Sequence, residues 1–186
     1  MRSYIAILLV LLLSACASSK MPQETRVPQA ELLPFAFNGR VTTFHDGKRS
    51  SAGLRWTHRG IDDEILLLAP FGQTVARIHS DKQGVSLEAS GKYYFAQDAE
   101  SLTEEVLGWH LPMSGMRYWV LALPAAGSQV EIEHDSLGKV TVLRQDGWEI
   151  HYLSYASEAA DSLPLRLTLQ RDAVEIKLFI DEWEVQ

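Results

Sequence analysis

A chain of 186 residues, 46% hydrophobic and 22% charged, is one domain's worth of sequence with enough apolar material for a sizeable core. Its net charge of -7 makes nucleic acid a poor partner, because an acidic surface repels a phosphate backbone. No internal repeat of fixed period and no low-complexity tract is present.

At the amino end, Met1-Arg2-Ser3 carries one positive charge, Ile5 to Leu13 is almost wholly apolar, and the small residues Ser14 and Ala15 stand before Cys16. That is the layout of an export signal over residues 1–15. The apolar run is well short of the roughly 20 residues a membrane-spanning helix needs. Leu13-Ser14-Ala15-Cys16 resembles the lipobox of bacterial lipoproteins. The resemblance implies a diacylglyceryl group on the Cys16 thiol, cleavage before Cys16 and acylation of the new amino group. One acyl chain anchors reversibly, at about 0.8 kcal/mol per buried methylene, whereas two or three make the attachment effectively permanent. Ala17 stands where retention in the inner membrane commonly uses aspartate, so the expected location is the periplasmic face of a Gram-negative outer membrane. Acylation would consume the chain's single thiol, leaving no disulfide, cysteine ligand or cysteine nucleophile.

Residues 16–34 then read as the acylated cysteine and a flexible tether, with Ser18, Ser19, Pro22, Gln23, Pro28 and Gln29 and little apolar periodicity. The folded domain is expected over 35–186. Most of it alternates with period two, as in Phe35, Phe37, Gly39 and Val41, or Val174, Ile176, Leu178 and Ile180. Turn pairs such as Asp46-Gly47, Ser90-Gly91, Asp146-Gly147 and Arg171-Asp172 punctuate it. The pattern predicts about eleven strands, near 36–45, 49–58, 62–69, 74–80, 84–90, 92–97, 129–134, 139–145, 148–155, 164–171 and 174–185. Short connections require antiparallel neighbours, hence one strongly curved antiparallel sheet. A shift of apolar phase between Ile180 and Trp183 predicts a bulge at Asp181 or Glu182.

Helical spacing interrupts the strands in the middle. Ala99, Leu102, Val106 and Trp109 share one face, with Ser101 and Glu104 spaced as a capping box. Met116, Trp119, Val120 and Leu123 repeat the spacing until Pro124. Two uses of this helical pair remain open: a filled core plugged by Trp109 and Trp119, or a lid over a lipid-sized cavity.

Several segments resemble the LolB family of outer-membrane lipoprotein receptors. They are Phe37-Asn38-Gly39-Arg40-Val41, Trp56, Ala69-Pro70-Phe71-Gly72, Met116-Arg117-Tyr118-Trp119 through Pro124, Gly147-Trp148-Glu149-Ile150-His151-Tyr152, and Trp183. The resemblance covers nearly the whole mature chain. It implies an incomplete, open antiparallel β-barrel closed by helices, acting in transfer and not catalysis, as a monomer. A soluble periplasmic carrier (LolA-like) would hand over the acyl chains of a lipoprotein, and this chain would release them into the outer membrane. Acyl-chain cavity candidates are the inward-phase apolar residues Phe37, Val41, Leu54, Trp56, Leu66, Leu68, Ile78, Leu87, Met116, Trp119, Leu123, Trp148, Ile150, Tyr152 and Trp183. The turn Pro70, Phe71, Gly72 is the candidate membrane-insertion loop, since the family carries a protruding leucine at the matching place. The alternative is that the loop folds back and packs Phe71 on the rim.

Enzyme chemistry finds little support. His45, His58, His79, His110, His134 and His151 are scattered without zinc-site spacing, and no cofactor is expected. Asp62, Asp63 and Glu64 read as a solvated turn, and Ser114-Gly115 lacks a hydrolase elbow. Two other classes stay open: a lipocalin-like lipid-binding lipoprotein, and a structural lipoprotein of an outer-membrane assembly complex.

Overall fold

The structure, a computed structural model, describes residues 34–107 and 111–185; the expected export signal, Cys16, the expected tether up to residue 33, Trp109 and His110 lie outside them. Eleven strands form one sheet: β1 (Phe35–His45), β2 (Lys48–Arg59), β3 (Asp62–Leu68), β4 (Thr74–Asp81), β5 (Gly84–Ala89), β6 (Lys92–Ala96), β7 (Val130–His134), β8 (Val140–Gln145), β9 (Trp148–Tyr155), β10 (Pro164–Arg171) and β11 (Val174–Val185). Helices α1 (Ala99–Leu107) and α2 (Met113–Trp119) stand between β6 and β7.

The spatial order is β6-β5-β4-β3-β2-β1-β11-β10-β9-β8-β7. Two meanders are therefore joined through the antiparallel pair β1 and β11. The strands on the two free edges, β6 and β7, are consecutive in sequence, so the chain between them must pass from one edge of the open sheet to the other. That passage is made by the helices, and it carries Leu111 and Met116 against the inner face. Chain order alone thus puts the helical pair where it closes the barrel.

Asp46-Gly47, Ser90-Gly91 and Asp146-Gly147 have positive φ at both positions (47° and 72°, 52° and 72°, 53° and 77°). Both central residues of a type I′ turn require this, and the turn's twist matches that of the flanking strands. Near the floor, Asn38 pairs with Glu182 but Gly39 pairs with Ile180, so Asp181 is the extra residue of a bulge in β11. A Cβ on Gly39 would lie 2.2 Å from the Phe179 carbonyl oxygen, a backbone atom that cannot swing aside. Gly39→Ala is expected to cost about 1–3 kcal/mol through this clash, readable as a lower urea midpoint with unchanged slope.

Inward side chains of both meanders make one core, from Phe35, Phe37 and Trp56 to Leu143, Ile150, Leu167, Leu169 and Ile176. The cap of α1 differs from the expected box: Asp98 accepts the Ser101 N–H at 2.7 Å and its hydroxyl at 3.0 Å, so Asp98 is the N-cap and Ser101 lies inside the helix. Helix α2 is also shorter than its periodicity predicts. Ala122 takes a left-handed φ of 57°, Leu123 N–H reaches back to the Tyr118 carbonyl at 3.1 Å, and Ala122 N–H bonds Trp119 at 3.0 Å. This is a Schellman ending, and it turns Leu123 off the helical face to 43% exposure.

Candidate functional site

The inner face has an empty half and a filled half. Beneath β1–β4 and β11 lies an apolar cavity of about 490 Å³, within the roughly 300–1,000 Å³ of ligand sites. Its apolar wall includes Val41, Leu54, Trp56, Ile65, Ile78 and Leu178, and Leu111 and Met116 come from the helical segment. Beneath β8–β10 the space is taken. Trp119 packs near Trp148 with ring centres 6.4 Å apart, and Leu143, Ile150, Leu167 and Leu169 are at most 1% exposed. A core filled around Trp119 and a cavity bordered by the helical segment therefore coexist, one in each half, while Trp109 lies outside the described residues.

The cavity candidates divide accordingly. Val41, Leu54, Trp56, Ile78 and Met116 line the cavity. Trp119, Trp148, Ile150 and Tyr152 belong to the filled half. Phe37 and Trp183 help build an aromatic floor: Phe37 lies 5.0 Å from Trp183 and 5.9 Å from Trp56, and Trp183 donates its indole N–H to the Pro164 carbonyl at 2.8 Å. Leu87 is buried on β5, the strand α1 packs against, and is not in the cavity wall. Leu66, Leu68 and Leu123 must be corrected. On β3 the inner phase is Asp63, Ile65 and Leu67, and Leu68 sits over Gly53 on the outer face.

Asp63 sets that phase and is no solvated turn residue. Its side chain is fully buried; Oδ1 accepts the Trp56 indole N–H at 2.8 Å and lies 2.9 Å from His58 Nδ1. Arg117 of α2 brings Nη2 to 2.9 Å from Oδ2. That contact is an ion pair, and among the described residues Oδ2, Arg117 Nε and His58 Nε2 have no hydrogen-bond partner. His58, stacked on Phe35 at 5.0 Å, completes a polar bolt between α2 and the strands at the floor.

Two more bolts hold the end of α2. Gln145 is nearly fully buried and satisfied: Oε1 accepts from Trp119 Nε1 at 2.9 Å and Ala125 N–H at 2.8 Å, while Nε2 donates to the Ala125 carbonyl and Ser128. The Tyr152 hydroxyl donates to the Trp119 carbonyl at 2.8 Å, and burial pushes its phenol far above the usual range, which keeps the donor protonated. Helix α2 is therefore a fixed wall of the cavity. Neither Gln145 nor Asp63 was distinguishable from a surface residue by type.

The antiparallel order places the turns at 46–47, 69–73, 90–91, 146–147 and 172–173 on one rim. Phe71 is on that rim and does not fold back: it is 89% exposed. The turn is closed by Gly72 N–H to the Ala69 carbonyl at 2.8 Å, with Pro70 and Phe71 at its central positions. The cavity reaches the same rim, through Asp46 and Lys48.

The fold and site define an open antiparallel half-barrel whose inner face and inserted helices enclose an apolar cavity, open at one rim. The chain belongs to the outer membrane lipoprotein LolB family, whose family model matches residues 34–183. The outer-membrane lipoprotein LolB of Nitrosomonas europaea is 41% identical over 154 residues, covering 81% of this chain and 73% of that one. The LolB of Chromobacterium violaceum is 34% identical over 184 residues, covering 98% and 99%. Among solved structures, a LolA superfamily protein from Nitrosomonas europaea aligns with 88% of this chain and 89% of its own, at a TM-score of 0.46 and 8% identity. Membership places the chain among outer-membrane lipoproteins, and no helix among the described residues is long and apolar enough to cross a membrane.

Proposed function

We infer that the chain takes the acyl chains of lipoproteins from a soluble periplasmic carrier into its cavity and releases them into the outer membrane, without catalysing any bond change. The observation that carries this reading is an apolar cavity of about 490 Å³ opening on the rim that holds Phe71. Handover requires only that the cavity hold acyl chains better than the donor does. A tenfold bias needs about 1.4 kcal/mol, which roughly 55 Å² of extra buried apolar area supplies.

The tether is compatible with this orientation. Residue 34 joins the domain beside Phe35, at the floor end, opposite Phe71. Strand β1 spans roughly 35 Å at about 3.3 Å per residue. Residues 17–34 can reach at most about 60 Å, so an acylated Cys16 and Phe71 can meet the same leaflet.

The test mixes the chain with carrier charged with a lipidated protein and follows the lipid. Ala52 is half-buried in the cavity wall, so Ala52→Trp fills the cavity from a strand position that accepts an aromatic side chain. We expect uptake from the carrier to fall at least tenfold in Ala52→Trp, with the thermal midpoint held within a few degrees. Unchanged uptake in the folded variant would defeat the reading, and a chain that kept the lipid without passing it to membranes would be a holding protein instead.

A further inference from the structure

On the β1–β2 hairpin the cavity wall changes character at one defined height. Going up β1, the inward side chains are Phe37, Val41, Thr43 and His45; down β2 they are Lys48, Ser50, Ala52, Leu54 and Trp56. Val41 pairs with Ala52, and one pleat higher Thr43 pairs directly with Ser50, followed by His45 with Lys48. The apolar wall therefore becomes a hydrogen-bonding wall between one pair and the next. A rim that merely met water would turn polar on every strand at that height. The neighbour β11 does not: Thr43 pairs across it with Ile176, which is fully buried, and Val174 one pleat further is also apolar.

We propose that Thr43 and Ser50, with Lys48 above them, form a head-group subsite that binds the acyl carbonyls of a bound lipid, with the chains lying below against Val41, Ala52 and Leu54. The proposal rests on the cavity being an acyl-chain site, as inferred above, and adds the ligand's orientation and the chemistry that recognises its polar end. Directly opposed side chains on antiparallel strands have Cβ atoms about 4.5–5.5 Å apart. Two hydroxyls at that spacing can donate to the carbonyls of two neighbouring acyl chains, and the Lys48 ammonium offers three further donors. Carbonyls left facing an apolar wall would lose hydration with nothing in return. The head then sits at the rim that carries Phe71, and the chain termini point toward the Trp56 floor.

The same carbonyl chemistry occurs in a lipoprotein's acylated cysteine and in a phospholipid, and the test separates them. The polypeptide from Ala17 onward retains every described element. Its affinity for three ligands is compared before and after the near-isosteric double change Thr43→Val with Ser50→Ala. The ligands are a triacylated cysteinyl peptide, phosphatidylethanolamine, and N-phenylnaphthylamine as a carbonyl-free apolar probe. The peptide should weaken about tenfold, as expected for losing one or two hydrogen bonds, while the probe stays within about twofold. A parallel loss for phosphatidylethanolamine assigns recognition to the glyceryl esters. A loss confined to the peptide assigns it to the amide on the cysteine. Equal change for peptide and probe overturns the subsite while leaving the cavity intact. If the unaltered chain takes up neither, the cavity reading fails first and the subsite with it.

Discussion

Asp63→Ala is expected to destabilise the fold by about 3–5 kcal/mol, the usual cost of breaking a buried ion pair from one side. The carboxylate is fully buried and accepts the Trp56 indole N–H at 2.8 Å, with His58 Nδ1 at 2.9 Å and Arg117 Nη2 at 2.9 Å. Removing it strands a guanidinium, an indole N–H and an imidazole around one small void. Arg117→Met should cost less, because the guanidinium is 22% exposed and Asp63 keeps its other two neighbours. Replacing both, as Asp63→Leu with Arg117→Met, should cost less than the two single changes together, by about 0.5–3 kcal/mol of coupling. Urea unfolding of the four proteins of the cycle measures this. Additive costs would mean that α2 is held by packing alone. Because Met116 lines the cavity and is the neighbour of Arg117, loosening the bolt should also lower the affinity for an apolar probe.

Strand alternation and turn pairs made the sheet legible because each is a local consequence of backbone geometry. The eleven strands, the helical interruption and the bulge at Asp181 all follow from spacing within a few residues. The inner phase of β3 was not legible, for a physical reason. Ile65-Leu66-Leu67-Leu68 is apolar at every position, so period two offers no choice between faces. The residue that decides it is Asp63, whose charge reads as surface until Arg117, fifty-four positions along the chain, arrives beside it. The division of the inner face was hidden in the same way. Trp56 and Trp148 carry equal apolar weight in the sequence, yet among the described residues Trp148 meets another indole, that of Trp119, held by Gln145, whereas Trp56 meets Phe35 and Phe37. Leu123 followed the helical period but lies beyond a left-handed Ala122, a residue type that gives no signal of a helix end.

Phe71→Glu should leave uptake from the carrier unchanged and slow delivery into membranes. Exposed to 89%, the Phe71 ring supports nothing in the fold, so the variant's stability should match the parent within about 0.5 kcal/mol. Its apolar surface has no use in water, and it stands on the rim where the cavity opens. Burying a phenylalanine side chain contributes about 1.5–3 kcal/mol, so losing that contact should weaken attachment to a bilayer surface about ten- to a hundredfold. Glutamate adds the cost of bringing a carboxylate to the same depth, whereas Phe71→Leu keeps an apolar contact and should stay within a few-fold of the parent. Two measurements separate the steps: transfer from charged carrier to the chain, and transfer from the loaded chain to liposomes. The expected result is a normal first step and a second step slowed at least tenfold in Phe71→Glu alone. Delivery at the parental rate would make Phe71 a bystander, and release would then have to start from the cavity rim itself, at the hairpin of Thr43 and Ser50.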